Sequence, residues 1–440
     1  MLNGLSVCAA LGIQLPAGAW IVPLTESTSS PVITESPGEP PSTQSAVDVP
    51  PPSVVLDDPG KPVSGEIEPP LDVIERDPSN WLGIPPEEEW LNFIRDPLKD
   101  LDDRYGLSIS GAYTMLFQQS VGPDAHGAGA GDFDLFTRWT PLGRGTPDTG
   151  SFYVATEYRH KIGARPPSEL GGEIGTLLGT TDGFSARGWS VKDAYWAQRL
   201  FEDHLRFGIG RVDSENLVGN HNLQSANTSF LNKAFSVNPT MAFPGSGFGA
   251  AAAVRPLDWL YFSAGAANAY GNTTTIEWDT LVDEWRLFKF VEVGVTPDIN
   301  NMGEGRYRIA FWHMDSRSLI DAPSDGGFTI IGDQKVGEHL SLFARYGFSD
   351  GDVTGIRQAV QVGGAYQGLF GSDSDLTGLA VGWADPEADL RDEKVLEVFH
   401  RMQLTGRTQL TFGAQLILDP SNAPDVDALG VLSARFRVSF

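Results

Sequence analysis

The chain of 440 residues carries 31 Lys+Arg against 57 Asp+Glu, a formal charge of −26, with 50 glycines and a single cysteine. So acidic a balance excludes a nucleic-acid partner, because phosphate backbones are held by clustered Lys and Arg. The lone Cys8 excludes a disulfide framework and a Cys-type structural zinc site.

Residues 1–30 hold no Lys or Arg, but the apolar run Leu5 to Ile13 is followed by Ala17-Gly18-Ala19, an A-x-A sequence of the signal-peptidase kind. The stretch is read as a signal peptide, the alternative being an unstructured start. Val7 stands before Cys8 where a lipoprotein box wants a small residue, which argues against a lipid anchor. Residues 31–105 contain 15 of the 30 prolines, with 17 acidic and 5 basic residues. Runs such as Pro50-Pro51-Pro52 lack backbone donors and fix φ, so residues 31–78 are expected to form a disordered, Pro-rich acidic linker. Residues 79–105 form a lead-in where Trp81, Trp90 and Phe93 bring back large apolar groups. A short helix is predicted from Pro97, as its first residue, to a Gly106 cap.

From Gly106 onward no apolar run reaches the 18 residues of a membrane-spanning helix. Alternation of period two appears instead. Leu340, Leu342, Ala344, Tyr346 and Phe348 share one parity, against Ser341, Phe343 and Arg345 on the other. Leu410, Phe412, Ala414, Leu416 and Leu418 repeat the pattern, as do Leu432, Ala434, Phe436, Val438 and Phe440. About sixteen such strands are predicted, starting near Leu107, Asp132, Ser151, Ser190, His204, Gly247, Trp259, Trp285, Gly305, Phe328, His339, Ile356, Leu376, Lys394, Thr408 and Leu429. The polar parity carries large charges, which a dry sandwich core would not hydrate and a wet lumen would. Trp139, Trp259, Trp285, Trp383, Tyr346 and Tyr153 fall near predicted strand ends, where a membrane barrel wants interfacial rings. The fold class expected is all-β, a transmembrane antiparallel β-barrel of about 16 strands over residues 106–440.

Several segments in order are similar to the carbohydrate-selective porin family (OprB-like). They are Ala194 to Asn216, Phe230 to Phe235, Arg306 to Asp315, Gly332 to Asp352, Leu376 to Pro386 and Asp392 to Asp425. The closing Phe440 also resembles the terminal aromatic by which bacterial outer-membrane proteins are assembled. The resemblance implies a sixteen-stranded barrel in the bacterial cell outer membrane, passing sugars by diffusion. The Pro-rich segment is a departure from it.

Catalytic chemistry is sparse. The seven histidines lie apart, with no H-E-x-x-H, G-x-S-x-G or phosphate-binding glycine loop. The expectation is therefore a non-enzyme with no cofactor and no metal, and the acidic turns at Asp350/Asp352 and Asp373/Asp375 are read as solvated hairpin tips. Guanidinium forks, carboxylates and aromatic faces suit sugar hydroxyls and ring faces. The lumen candidates are Arg306, Arg308, Trp312, Arg345, Glu397, Arg401, Gln403 and Arg435. Residues 161–189 and 212–245 exceed hairpin length. The second is amide-rich and aromatic, so it is expected to fold into the channel and narrow it, adding Asn227, Phe230 and Asn232. Arg306 and Arg308 are expected to be hydrated, so that their removal costs little stability. Expected partners are small-molecule carbohydrates and outer-membrane lipid, with the linker touching periplasmic components and assembly into a homo-oligomer left open. Two other classes stay open: a soluble or surface-attached β-rich glycan-binding protein, and a lipid-hydrolysing barrel enzyme using His400.

Overall fold

The computed structural model describes residues 88–122, 125–299, 303–372 and 374–440. The predicted signal peptide and linker lie outside these residues. The first element is helix α1, Glu88–Tyr105. It starts nine residues before the predicted Pro97, which lies inside the helix instead of opening it. Its end is as expected: Gly106 takes φ +67°, and its N–H donates to Asp102 O at 2.8 Å.

Sixteen long strands follow: β1 Leu107–Val121, β2 Gly127–Leu142, β3 Gly150–Lys161, β4 Gly188–Leu200, β5 Leu205–Val212, β6 Gly247–Leu257, β7 Leu260–Asn268 and β8 Leu287–Val295. The second half comprises β9 Gly303–Met314, β10 Asp325–Val336, β11 Leu340–Ser349, β12 Ile356–Gln367, β13 Leu376–Pro386, β14 Glu393–Gln403, β15 Thr408–Leu418 and β16 Ala428–Ser439. A two-residue strand, Asp298–Ile299, adds one small pairing to β9. Each long strand pairs antiparallel with the next, and β1 pairs with β16 from Ala112↔Ser439 to Val121↔Gly430, so the sheet closes on itself. Phe440 completes the seam: its N–H donates to Gly111 O at 2.9 Å and its O accepts from Gly111 N at 3.0 Å. Closure leaves none of the sixteen long strands at an edge of the sheet.

The parity read from the sequence holds around the wall. Leu396 and Val398 are exposed on the outside of β14, while Glu397 and Phe399, alternating with them, are buried inside. Phe412 and Leu416 on β15, and Leu432 on β16, also face out. Tyr153 is a correction: it is on the inner parity of β3, stacked on Tyr195 with ring centroids 5.2 Å apart, so it is no interfacial ring. Trp139, Trp259 and Trp285 are exposed near strand ends.

The inner side is not uniformly polar. From β4 to β9 the inward residues Tyr195, Ala251, Tyr261, Phe288, Phe290 and Trp312 form an apolar cluster, joined by Leu217, Val218 and Met241 from the connection after β5. A second cluster sets Phe343, Phe399 and Val395 of the wall against Leu170, Leu178, Phe230 and Phe235 of two connections. Two long connections therefore fold inward: loop A, residues 162–187, and loop B, residues 213–246.

Candidate functional site

Loop B crosses the inside of the barrel, and its backbone must find partners away from bulk water. The wall supplies them. Glu397, 1% exposed, accepts from Leu231 N at 2.7 Å and Asn232 N at 2.9 Å. Arg345 donates to Ala234 O at 2.9 Å, Val237 O at 2.5 Å, Gln224 Oε1 at 3.2 Å and Gly219 O at 3.4 Å. Arg435 donates to Ala226 O at 2.5 Å and Ser229 O at 3.0 Å, and Arg401 to Thr228 O at 3.1 Å. Asn222 N donates to Asp333 Oδ1 at 3.0 Å, and Asn238 Nδ2 to Thr329 Oγ1 at 3.2 Å. The wall makes room where the loop presses on it. Gly382 lies under Phe235, whose ring would stand 3.2 Å from any added Cβ.

Loop B also organises itself. Helix α3, Lys233–Ser236, is capped by Asn232, whose Oδ1 accepts from Ala234 N at 2.9 Å. His221 stacks on Phe343 with centroids 3.8 Å apart. Its Nε2 donates to Phe235 O at 2.7 Å, and its Nδ1 accepts from Leu223 N at 3.2 Å. Both nitrogens are thus used by the neutral ring. Burial, with the Arg345 guanidinium next in effect, holds the His221 pKa well below its ordinary value.

Loop A carries helix α2, Pro167–Glu173, and is tied to the same side of the barrel. Glu393 accepts from Leu177 N at 2.7 Å, Leu178 N at 3.0 Å and Ser421 N at 3.2 Å. Thr180 O accepts from Gln118 Nε2 at 3.1 Å and Gln415 Nε2 at 2.8 Å. The two loops meet where Asp182 N donates to Leu231 O at 3.3 Å.

Charged groups gather at this meeting, and two of them keep contact with water. Asp182 of loop A and Lys233 of loop B stand 4.0 Å apart, with side chains 32% and 44% exposed. Lys192 pairs with Asp213 at 3.5 Å and Glu157 at 3.7 Å, and Arg187 with Glu157 at 2.5 Å. A bulge in β4 leaves the consecutive Lys192 and Asp193 both buried on the inner side. Glu215, on the 3₁₀ turn Ser214–Asn216, stands beside the group. Burial first, then Asp182 and Asp213, push its carboxyl well above the ordinary range, while Lys192 and Lys233 oppose the shift. Asp132, Asp134 and Glu157 bring carboxylate oxygens within 4.8 Å of one another. Arg159 ion-pairs with both Asp132 and Glu157, and Arg187 and Lys192 also pair with Glu157, so three cations of the chain itself face the three carboxylates.

The residues singled out from the sequence thus divide. Arg345, Glu397, Arg401, Arg435 and Asn232 converge on loop B and spend polar groups anchoring it; Asn232 Nδ2 also reaches Gln415 Oε1 at 3.0 Å. Asn227 Nδ2 reaches Asp134 Oδ2 at 3.3 Å. Arg306 is half-buried, bound to Asp333 at 3.0 Å and to Asn220 O at 3.4 Å. Arg308 corrects the hydrated-lumen expectation: its side chain is 2% exposed, between Asp333 at 2.7 Å and Glu292 at 3.8 Å. Trp312 is buried, near Phe288, and Phe230 is wholly buried against Phe399. Gln403 is apart from the others, at the end of β14, where its Nε2 donates to Thr405 O at 2.7 Å and its Oε1 accepts from Gln409 Nε2 at 3.0 Å. His400 faces outward, its Nδ1 2.9 Å from Thr377 Oγ1 and its ring against Phe370. Asp182, Lys192, Glu215 and Lys233 were missed. The signal for three of them was available, since Asp182, Glu215 and Lys233 are among the few charged residues inside connections too long for hairpins.

The residues thus describe a closed sixteen-strand barrel, apolar outside and narrowed by two loops that meet at the Asp182–Lys233 pair. Residues 322–440 match the carbohydrate-selective porin, OprB family. That stretch covers β10 to β16, including Arg345, Glu393, Glu397, Gln415 and Arg435, while both inward loops lie outside it. The resemblance read from the sequence is borne out there. The chain is 22% identical over 390 residues to Porin AaxA of Chlamydia abortus, covering 80% of this chain and 85% of that one. The high-pH structure of Pseudomonas putida OprB matches with a TM-score of 0.64 at 16% identity, covering 78% of this chain and 96% of that one. The low-pH structure of the same protein gives 0.52 at 17% identity, with coverages of 82% and 99%. The fold is that of OprB.

Proposed function

We propose that this protein is an outer-membrane porin through which carbohydrates diffuse passively, with no cofactor and no catalytic step. The observation that carries the reading is the combination of a closed barrel, apolar on its outer parity, with loops A and B drawn into its interior. An outer surface bearing Phe117, Phe311, Val381 and Phe412 suits lipid and not water, which disfavours a soluble glycan-binding module. His400 is engaged on that outer surface, away from the inward loops, and the lipid-hydrolase reading gains nothing from it.

Sugar contacts are assigned to groups that face water at the loop junction. Asp182 and Lys233 supply charge-assisted partners for hydroxyls, and Asn220, Asn222 and Gln224 of loop B, with Arg306 of the wall, supply amide and guanidinium donors. The wholly buried Phe230 and Asn232 act one step back, fixing the loop that presents these groups. Planar-bilayer recording of the purified protein tests the reading. Ohmic channels are expected whose current falls as glucose, maltose and longer maltosaccharides occupy the constriction. Absence of conducting events defeats the pore, and current indifferent to sugars at about tens of millimolar, a range typical of weak sites, defeats the selectivity.

A further inference from the structure

We propose that Glu393, Glu397 and Gln415 are positioning residues that clamp loops A and B to the wall as one unit, and thereby set the bore of the channel. The inference rests on the porin reading above.

Glu393 and Glu397 are four residues apart on β14 and share its inner face. Both are almost wholly buried, and each carboxylate accepts a pair of consecutive backbone N–H groups from a different loop: Leu177 and Leu178 of loop A for Glu393, Leu231 and Asn232 of loop B for Glu397. A carboxylate that receives two aligned amides holds a segment in one orientation as well as one place. Gln415 of β15 is directly opposite Glu397 in the sheet register. Its two amide atoms divide between the loops. Oε1 accepts from Asn232 Nδ2 of loop B at 3.0 Å, and Nε2 donates to Thr180 O of loop A at 2.8 Å. The direct tie between Asp182 N and Leu231 O closes the circuit. No loop can leave its carboxylate without stretching the bonds of the other. The wet charges at the junction, Asp182 and Lys233, are each within five residues of a clamped amide, so their separation follows from the clamp.

The test compares single-channel records of the full chain and of Glu397→Ala, Glu393→Ala, Gln415→Leu and the Glu393→Ala/Glu397→Ala pair. Loss of two charge-assisted backbone bonds is expected to raise the frequency of brief high-conductance openings roughly tenfold or more. It should also let longer maltosaccharides enter, with heat-modifiable gel migration still reporting a folded barrel. Glu397→Gln keeps one accepting oxygen and is expected to fall between Glu397→Ala and the parent. The pair should be markedly less than the product of its singles, because the loops move together, and Gln415→Leu should restore independence. Hydrogen exchange at Leu177, Leu178, Leu231 and Asn232 in detergent reads the clamp without any current: faster exchange in both loops of Glu397→Ala is expected. Parent channels that do not conduct would sink the porin reading and leave the exchange result standing. A folded Glu397→Ala with parental openings and parental exchange would overturn the clamp, and acceleration confined to loop B would overturn the coupling.

Discussion

Removal of Arg308 separates a hydrated pore wall from a packed one. The guanidinium is held between two buried carboxylates, Asp333 at 2.7 Å and Glu292 at 3.8 Å. Asp333 keeps other support after Arg308→Ala, from Arg306 at 3.0 Å and the Asn222 amide at 3.0 Å. Glu292 does not fare as well. Its side chain is 1% exposed, and the donors left to it, the Tyr261 hydroxyl at 2.8 Å and the Gly219 backbone N–H, are neutral, with Arg306 acting only at longer range. Stranding one buried partner costs about 3 to 5 kcal/mol. Arg306→Ala leaves both acids with Arg308 and costs about 1.5 to 3 kcal/mol at most, the worth of a charged hydrogen bond. Urea unfolding of detergent-folded protein, followed by the heat-modifiable shift, should therefore rank Arg308→Ala well below Arg306→Ala. Glu292→Gln should recover much of the loss in the Arg308→Ala background and little in the parent. Equal midpoints for the two arginine variants, or no recovery by Glu292→Gln, would mean that water reaches Glu292 and the network is not the dry one described.

Three further outcomes follow from the same geometry. Phe412→Arg puts a cation on the outer parity of β15, where midplane burial costs roughly 2 to 4 kcal/mol, so the fraction of chain that inserts into vesicles should fall sharply. Asp182→Asn should move the zero-current potential in a salt gradient toward anion preference and Lys233→Gln toward cation preference, because each leaves the other's charge alone at the junction; unchanged potentials would remove these residues from the conducting path. Neutral His221 is favoured in the folded loop, so the detached loop binds more protons: loop stability should be level above the ordinary histidine value of about 6.5 and decline as pH falls below it, seen as more frequent large openings in acid that His221→Gln abolishes.

Strand positions were legible to within a few residues because alternation is a property of the strand alone. Ile356, Leu376 and Thr408 open β12, β13 and β15 as predicted. The largest miss is β2, placed at Asp132 instead of Gly127, because the alternating Gly and Ala of its first residues have no apolar contrast to read. Helix α1 was cut short by giving Pro97 the first position, although a helix tolerates a proline where one lost bond is outweighed by the turns on either side. The inward fold of loop B was legible too, from its amides and rings.

What period two does not reveal is the company a face keeps. It assigns Arg345, Glu397 and Arg435 to the inside, and from there a wet lumen makes them solute ligands. But a loop drawn into a barrel brings its own amides and carbonyls out of bulk water, and each needs a partner. Loop B has few regular elements of its own beyond the short α3, so the wall must provide. Carboxylates that accept two amides and guanidiniums that reach several carbonyls do this with the fewest side chains. Long inward connections therefore convert wall charges from solute contacts into anchors, and in the function proposed above the contacts pass to loop residues such as Asp182 and Lys233.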